Sequence, residues 1–253
     1  MPAKWLHRFE RKPGRWVFEP SPEARADGVE VKALVESRWK APTYYFHLRR
    51  GGHVAALLRH QRSTFFVKVD IADFFGSVSR SRVSRVLKEF FPHTDARRMA
   101  TASTVQHPDD DARQILPYGF IQSPLLASLA LHKSALGKYL DELHRERRFV
   151  VTVYVDDIII SGGDHVELCF ALSELKTKAQ RSRFVFSDDK EQGPAASISA
   201  FNIGLATGSP LFILPPKLAE FRDAFRASPS ELQRAGIQSY VRSVNHAQAD
   251  TLP

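Results

Sequence analysis

The chain has 253 residues, 43% of them hydrophobic and 25% charged, which is enough for one full core, or one with a small appendage, and excludes a disordered chain or a stapled miniprotein. Its single cysteine, Cys169, rules out an intrachain disulfide and a thiolate metal site; no apolar run approaches a membrane span and the polar, basic start is unlike a signal peptide, so a soluble cytoplasmic protein is expected. The net charge of +8 lies wholly in residues 1–68, with 14 Lys/Arg against 6 Asp/Glu, while residues 69–253 carry 22 of each, and basic charge concentrated in this way points to a polyanion, most often nucleic acid.

The breaker Glu19-Pro-Ser-Pro-Glu23 precedes a helix expected over about 22–37. Lys40-Ala-Pro-Thr43 interrupts the chain before the aromatic and basic stretch Tyr44 to Gly52. Thr64-Phe-Phe-Val-Lys-Val-Asp70 reads as a strand that ends in an acid. Ser79 caps a helix with apolar positions Val83, Val86, Leu87, Phe90 and Phe91, and its other face carries Arg80, Arg82, Arg85 and Lys88, the mark of a solvated surface. Pro108-Asp-Asp-Asp111 is expected to be a polar loop. Ser123-Pro124 opens one long helix whose buried stripe runs through Leu126, Leu129, Leu136, Leu140 and Leu143. Two apolar β-runs, Phe149–Val155 and Ile158–Ser161, form a hairpin with Asp156-Asp157 at its tip. A helix over about 165–181 follows, then short strands at 184–186, 198–205 and 211–214, and one or two closing helices. Strands and helices mix without regular alternation, which is the pattern of an α+β fold with helices on one face of a sheet.

Three carboxylates stand where stability alone would not place them. Asp70 ends an apolar strand, and Asp156 and Asp157 interrupt a run of Val and Ile. A carboxylate in such surroundings costs several kcal/mol unless it is paired or binds a metal, and adjacent acids repel until a cation offsets them. Without thiolates or clustered histidines, a hard divalent ion such as Mg²⁺ with oxygen ligands is the natural occupant, and a pair of such ions serves phosphoryl or nucleotidyl transfer. Alone, Asp156-Asp157 reads equally well as a polar hairpin turn. The acid-terminated strand before it favours metal binding.

Val67-Lys-Val-Asp-Ile-Ala-Asp-Phe-Phe75, Leu116-Pro-Tyr-Gly-Phe-Ile-Gln-Ser-Pro124 and Tyr154-Val-Asp-Asp157 resemble, in order and spacing, motifs A, B and C of reverse transcriptases, in the style of the bacterial retron, group II intron and defence-associated enzymes. The resemblance covers roughly residues 44–205. It implies a right-hand polymerase fold with a basic N-terminal region and fingers over 1–65, a palm over 66–205 and a short helical thumb over 206–253. It also implies RNA-directed DNA polymerase activity with two Mg²⁺ ions, Mn²⁺ being able to substitute.

Carried over by position, the resemblance makes Asp70, Asp156 and Asp157 the catalytic metal ligands, helped by the carbonyl of Ile71. Phe75 matches the aromatic gate that selects deoxynucleotides, and Lys190 the lysine near the leaving pyrophosphate. Phe201-Asn-Ile-Gly-Leu205 resembles the primer-grip hairpin. In motif B, Tyr118 stands where a glutamine is usual, with Gly119 after it at the nucleotide. Arg49 and Arg50 are candidates for the triphosphate, Arg59 and Arg62 for template phosphates, and Tyr44 and Tyr45 for base stacking. The implied partners are an RNA template or non-coding RNA, the DNA product, dNTPs, and a partner subunit or second copy that steadies the duplex beside a short thumb, with no membrane. The altered motif B leaves untemplated or low-complexity DNA synthesis as an alternative, and a non-catalytic RNA- or partner-binding module is a third. Phage defence is the role that the resemblance suggests.

Overall fold

The computed structural model describes residues 4–12 and 14–253. It opens on a hairpin of β1 (Trp5–Lys12) and β2 (Arg15–Pro20), which is not among the expected elements. The signal was there in the dipeptide Pro13-Gly14 between two aromatic-bearing basic segments. Ser21 then caps α1 (Pro22–Arg38), its Oγ accepting from the N–H of Ala24 with Pro22 in the first turn. A short α2 (Gly52–Leu58) leads to β3 (Phe65–Asp70), α3 (Arg80–Leu87) and α4 (His93–Ala102). The polar segment expected as a loop at 108–111 is part of a second hairpin, β4 (Val105–His107) with β5 (Asp110–Ile115), and Asp109 accepts a hydrogen bond from Trp16 Nε1 at 2.9 Å.

The long helix expected from Ser123 is two helices, α5 (Ser123–His132) and α6 (Ala135–Arg145). Ser134 restarts the chain as an N-cap, its Oγ accepting from Gly137 N–H, and a Cβ at Gly137 would sit 2.1 Å from the Leu131 carbonyl. The next hairpin, β6 (Val150–Tyr154) and β7 (Asp157–Gly162), precedes α7 (His165–Arg181), which has the expected bounds. No strand forms at 184–186, where Phe186 makes only a single bridge to Ile71. Instead β8 (Gln192–Ala195) adds to the sheet, and β9 (Ser197–Ala200), β10 (Ile203–Ala206) and β11 (Phe212–Ile213) form a small sheet of their own. The single strand expected over 198–205 is therefore a hairpin, turned at Phe201 and Asn202 with φ of +57° and +62°. Helices α8 (Pro215–Ala227), α9 (Glu231–Val244) and α10 (His246–Ala249) close the chain.

The central sheet has the order β6-β7-β3-β8 and is antiparallel throughout. Because side chains alternate between faces, Val67, Val69, Val151, Val153, Ile158 and Ile160 all point to one side, where they pack with the leucines of α5, α6 and α7. Phe66 and Ile159 point to the other side and meet the small sheet with α8 and α9. Both faces of these strands are thus covered at one end, which explains why they read as continuous apolar runs. The same alternation puts Lys68 and Asp70 on the face of Phe66, and Asp157 on the face of Ile159. Asp70, at the end of that face, lines a cavity. None of the helices is long and apolar enough to cross a membrane, among the described residues.

Candidate active site

The pairing register brings the acids together. Asp70, the last residue of β3, lies opposite Asp157, the first of β7. The connection from β6 to β7 is a two-residue turn, Val155-Asp156, closed by the pair Tyr154 and Asp157, so the tip of the hairpin is one residue earlier than expected. The N–H of Ile71 donates to the carbonyl of Asp156 at 2.9 Å and ties the end of β3 to that turn. One carboxylate oxygen from each of Asp70, Asp156 and Asp157 lies within 4.8 Å of the others, and this is the only such acid, His or Cys cluster among the described residues.

Each acid has its own cation. Asp70 is buried and accepts from Lys190 Nζ at 2.8 Å and from Ser187 Oγ at 2.9 Å. Lys68 Nζ stands 3.3 Å from Asp157, and Arg15 Nη2 stands 3.9 Å from Asp156. Burial nevertheless pushes the Asp156 carboxyl up to about 6, and the negative charges of Asp70 and Asp157 add to the rise while Arg15 opposes it. Burial also raises Asp157, with Lys68 opposing. Repulsion thus persists among the acids despite the paired cations. The donor set, all oxygen and only partly neutralised by those cations, suits hard divalent cations.

A cavity of about 490 Å³ opens beside Asp70 and is lined by Lys12, Arg15, Asp73, His107, Ser187 and Lys190, among others. Lys12 and Arg15 come from the N-terminal hairpin, distant in sequence from the arginines expected at the triphosphate, Arg49 and Arg50. Arg15 lies over the ring of Tyr118 at 5.0 Å, and Tyr118 in turn contacts Phe75 with ring centroids 4.5 Å apart. Burial pushes the Tyr118 hydroxyl up to about 12, so it stays protonated. Phe75 is buried, stacked against Phe74 and packed on Tyr118, and neither Phe75 nor Tyr118 lines the cavity itself. Gly119 has φ +102°, and a Cβ there would meet the Phe18 carbonyl at 2.2 Å. Its glycine is required by the close approach of β2, whose Phe18 N–H donates to the Tyr118 carbonyl at 2.9 Å, which is a different reason from the ligand contact expected.

Two other expectations are corrected. Tyr44 and Tyr45 are buried and cannot stack on bases. Tyr44 donates its hydroxyl to Asp141 at 2.7 Å, and Tyr45 packs among Trp39, His47 and His132. Arg49 and Arg50 do not join the acids. They line a separate cavity of about 660 Å³ with Arg59 and Arg147, and Arg49 bonds the Thr43 carbonyl and lies over Phe46. Arg62 is exposed.

The turn that carries Asp156 is held from a distance. Val155 has φ +59°, a left-handed conformation that β-branched residues rarely adopt. Its N–H donates to Nδ1 of His47 at 2.9 Å. That bond fixes the His47 proton on Nε2, which faces Ser128 Oγ at 2.7 Å, and Ser128 donates onward to the Pro124 carbonyl at 2.7 Å. Burial lowers His47 to about 4, so the ring is neutral and able to accept at neutral pH. His47→Leu leaves a backbone N–H without its acceptor in a strained turn, and should cost roughly 1–3 kcal/mol in chemical denaturation. His47→Gln, which keeps an acceptor, should recover part of that loss; equal losses in the two variants would show that the turn does not depend on this bond.

Comparison with known proteins agrees with the geometry. The family described as "Reverse transcriptase (RNA-dependent DNA polymerase)" matches residues 29–200. Among curated proteins, none matches this sequence. The fold is similar to that of a foamy viral protease-reverse transcriptase solved with double-stranded DNA, at 15% identity and a TM-score of 0.50, over 92% of this chain and 34% of that one. It is also similar to that of a telomerase from Candida albicans solved with a fragment of telomeric RNA, at 8% identity and a TM-score of 0.54, over 91% of this chain and 47% of that one. This chain therefore spans between a third and a half of the length of those proteins.

Proposed function

This chain belongs to the reverse transcriptase family, and we infer that it is an RNA-directed DNA polymerase whose active site is the Asp70, Asp156 and Asp157 cluster. The observation that carries the reading is the register of β3 against β7, which gathers three carboxylates at the open end of an otherwise covered sheet face. Asp70, Asp156 and Asp157, with the carbonyl of Ile71, would hold two Mg²⁺ ions, or Mn²⁺ in their place. Bound there, such ions supply charge neutralisation at the attacking and leaving oxygens of nucleotidyl transfer. Lys12, Arg15 and Lys190 surround the adjoining cavity and are suited to the triphosphate, with Lys190 released from Asp70 as the acids take up their cations. Arg49, Arg50, Arg59 and Arg62 then belong to the path of the template, outside the acid cavity.

We assign residues 1–65 to the N-terminal region and fingers, 66–205 to the palm and 206–253 to a short thumb, with β9–β10 as the primer grip. The turn of that hairpin supports the last point: the ring of Phe201 lies 5.2 Å from that of Tyr154, beside the catalytic hairpin. The style of the three motifs supports a bacterial retron or defence lineage, acting in the cytoplasm with a non-coding RNA and steadied by a partner subunit or second copy. Untemplated synthesis by the same acids is the second reading, and Tyr118 favours it, since a ring held between Arg15 and Phe75 offers no amide to a templated base pair.

Primer extension tests the reading. A DNA primer on an RNA template should be extended with dNTPs in Mg²⁺ and far less with rNTPs, and no extension on RNA, DNA or without template would overturn it. In this reading Phe75, packed against Tyr118, is the gate that a 2′-hydroxyl would meet. Phe75→Ala would open a core cavity costing about 3–5 kcal/mol, so Phe75→Val is the cleaner variant. It should raise rNTP incorporation relative to dNTP about tenfold, and an unchanged ratio would leave Phe75 as core alone.

A further inference from the structure

The face of α3 that looks like ordinary solvated surface in sequence is one wall of a basic groove. A cavity of about 690 Å³ lies between α3, the junction of α5 with α6, and the end of α7, and its lining includes Arg82, Arg85, Lys133, Arg181 and Arg183 but no carboxylate. Through Ser81 and Arg85 it continues into a second cavity of about 610 Å³ lined by Arg80, Lys88 and Arg97, again without a carboxylate. Glu89 stands at the edge and pairs with Lys133 at 2.6 Å. Arg85, Arg181 and Arg183 make no ion pair among the described residues.

Three features go beyond crowded charge. Arg82 is held in place, its Nη2 bonding the Ser182 carbonyl and its guanidinium 4.6 Å from the Phe184 ring, yet its Nη1 is buried without a hydrogen-bond partner among the described residues. Burial lowers the Arg82 pKa, and the charges of Arg183 and Arg85 lower it further, so the cluster is electrostatically unrelieved. The N-termini of α3 and α6 open on the same cavity, through Ser79 and Ser81 on one side and Ser134 and Ala135 on the other, and their dipoles add positive potential. Finally, Arg183 follows the cap of α7 with φ +55°, where its N–H bonds the Gln180 carbonyl. Glycine is the residue that this position favours, so the arginine stands there against backbone preference.

We propose that this groove binds the phosphodiester backbone of a nucleic-acid strand that lies outside the acid cavity. The groove shares no lining residue with that cavity. No aromatic ring lines either half of it, so it grips phosphates and does not read bases. A single phosphate would leave most of these cations unused, whereas a strand running along both cavities meets them in turn. The proposal rests on the polymerase reading only in taking the polyanion to be nucleic acid.

The test uses the full chain with a 5′-labelled 20-nucleotide RNA and a DNA of the same sequence, followed by fluorescence anisotropy across a salt series, with inorganic triphosphate as competitor. Neutralising three contacts in the Arg85→Gln, Arg181→Gln, Arg183→Gln variant should weaken binding about tenfold and flatten the slope of log affinity against log salt by about 2. Extension of a saturating primer–template should be unchanged. RNA and DNA losing affinity equally places the recognition on the phosphates, and a loss confined to RNA places it on the RNA backbone with its 2′-hydroxyls. Unchanged affinity and slope for both would overturn the proposal, as would displacement of the labelled strands from the wild type by triphosphate at equal phosphate concentration. Arg183→Gly separates binding from folding: it should raise the melting temperature while weakening the labelled strand two- to threefold, and a lower melting temperature with unchanged affinity would make Arg183 structural only. If the wild type extends no primer, the polymerase reading falls and the anisotropy result still decides the groove.

Discussion

Asp156→Asn should abolish nucleotide incorporation, by a factor on the order of a thousand or more, and at the same time make the metal-free protein more stable. Both effects come from the same repulsion. Burial and the neighbouring Asp70 and Asp157 raise the Asp156 carboxyl from 3.8 to about 6. A carboxyl whose folded-state pKa is raised binds its proton more tightly in the native state, so the stability it contributes is complete below pH 4 and is lost as pH rises through 6. Asparagine does not ionise and escapes that loss. In EDTA at pH 8 the variant should therefore exceed the wild type by up to about 3 kcal/mol, and the difference should vanish near pH 4. Thermal melts at the two pH values, paired with single-nucleotide incorporation in Mg²⁺, check both halves. Incorporation at the wild-type rate would remove Asp156 from the metal site, and a variant less stable than the wild type at pH 8 would show that Arg15 already neutralises it.

Arg15→Ala should raise the KM for dNTP about 10- to 100-fold, the loss of a charge-assisted contact worth roughly 1.5–3 kcal/mol. Its guanidinium borders the cavity beside Asp70, lies over Tyr118 and stands near Asp156, so it is placed to meet a triphosphate. Arg49→Gln and Arg50→Gln should leave that KM unchanged, because both residues line a different cavity. Steady-state incorporation across a dNTP series distinguishes the two sites. A larger effect from Arg49 or Arg50 would mean that the cavity they line, and not the hairpin of β1 and β2, receives the nucleotide.

The sequence alone showed the acids and the elements that carry them. Asp70 ends a six-residue strand, Asp157 begins another, and a short β-branched apolar run interrupted by an acid is a local signal that survives in a bare sequence. The caps at Ser79 and the bounds of α7 were equally local, since an N-cap and a 3.6-residue stripe are contained within a few turns of chain. The break at Ser134 was also written locally, in a capping serine followed by a glycine, but the apolar spacing from Leu126 to Leu143 runs across it and concealed it.

What the sequence could not decide was partnership. Tyr44 and Tyr45 look like exposed stacking rings until α6 and its Asp141 cover them, and His47 looks like one more residue in a basic stretch until its ring accepts from Val155. Arg15 and Lys12 were counted in the basic N-terminal charge, but nothing near them pointed to Asp156 or to the cavity they line. Arg82 and Arg85 seemed solvated because their groove is completed by α5, α6 and α7, which are distant in sequence. Periodicity reports which face of an element is apolar, and it is blind to which other element arrives on that face. Charge pairing, buried hydrogen bonds and cavities all arise from such arrivals, so the tertiary structure decided the surroundings of an active site whose acids the strands had already placed.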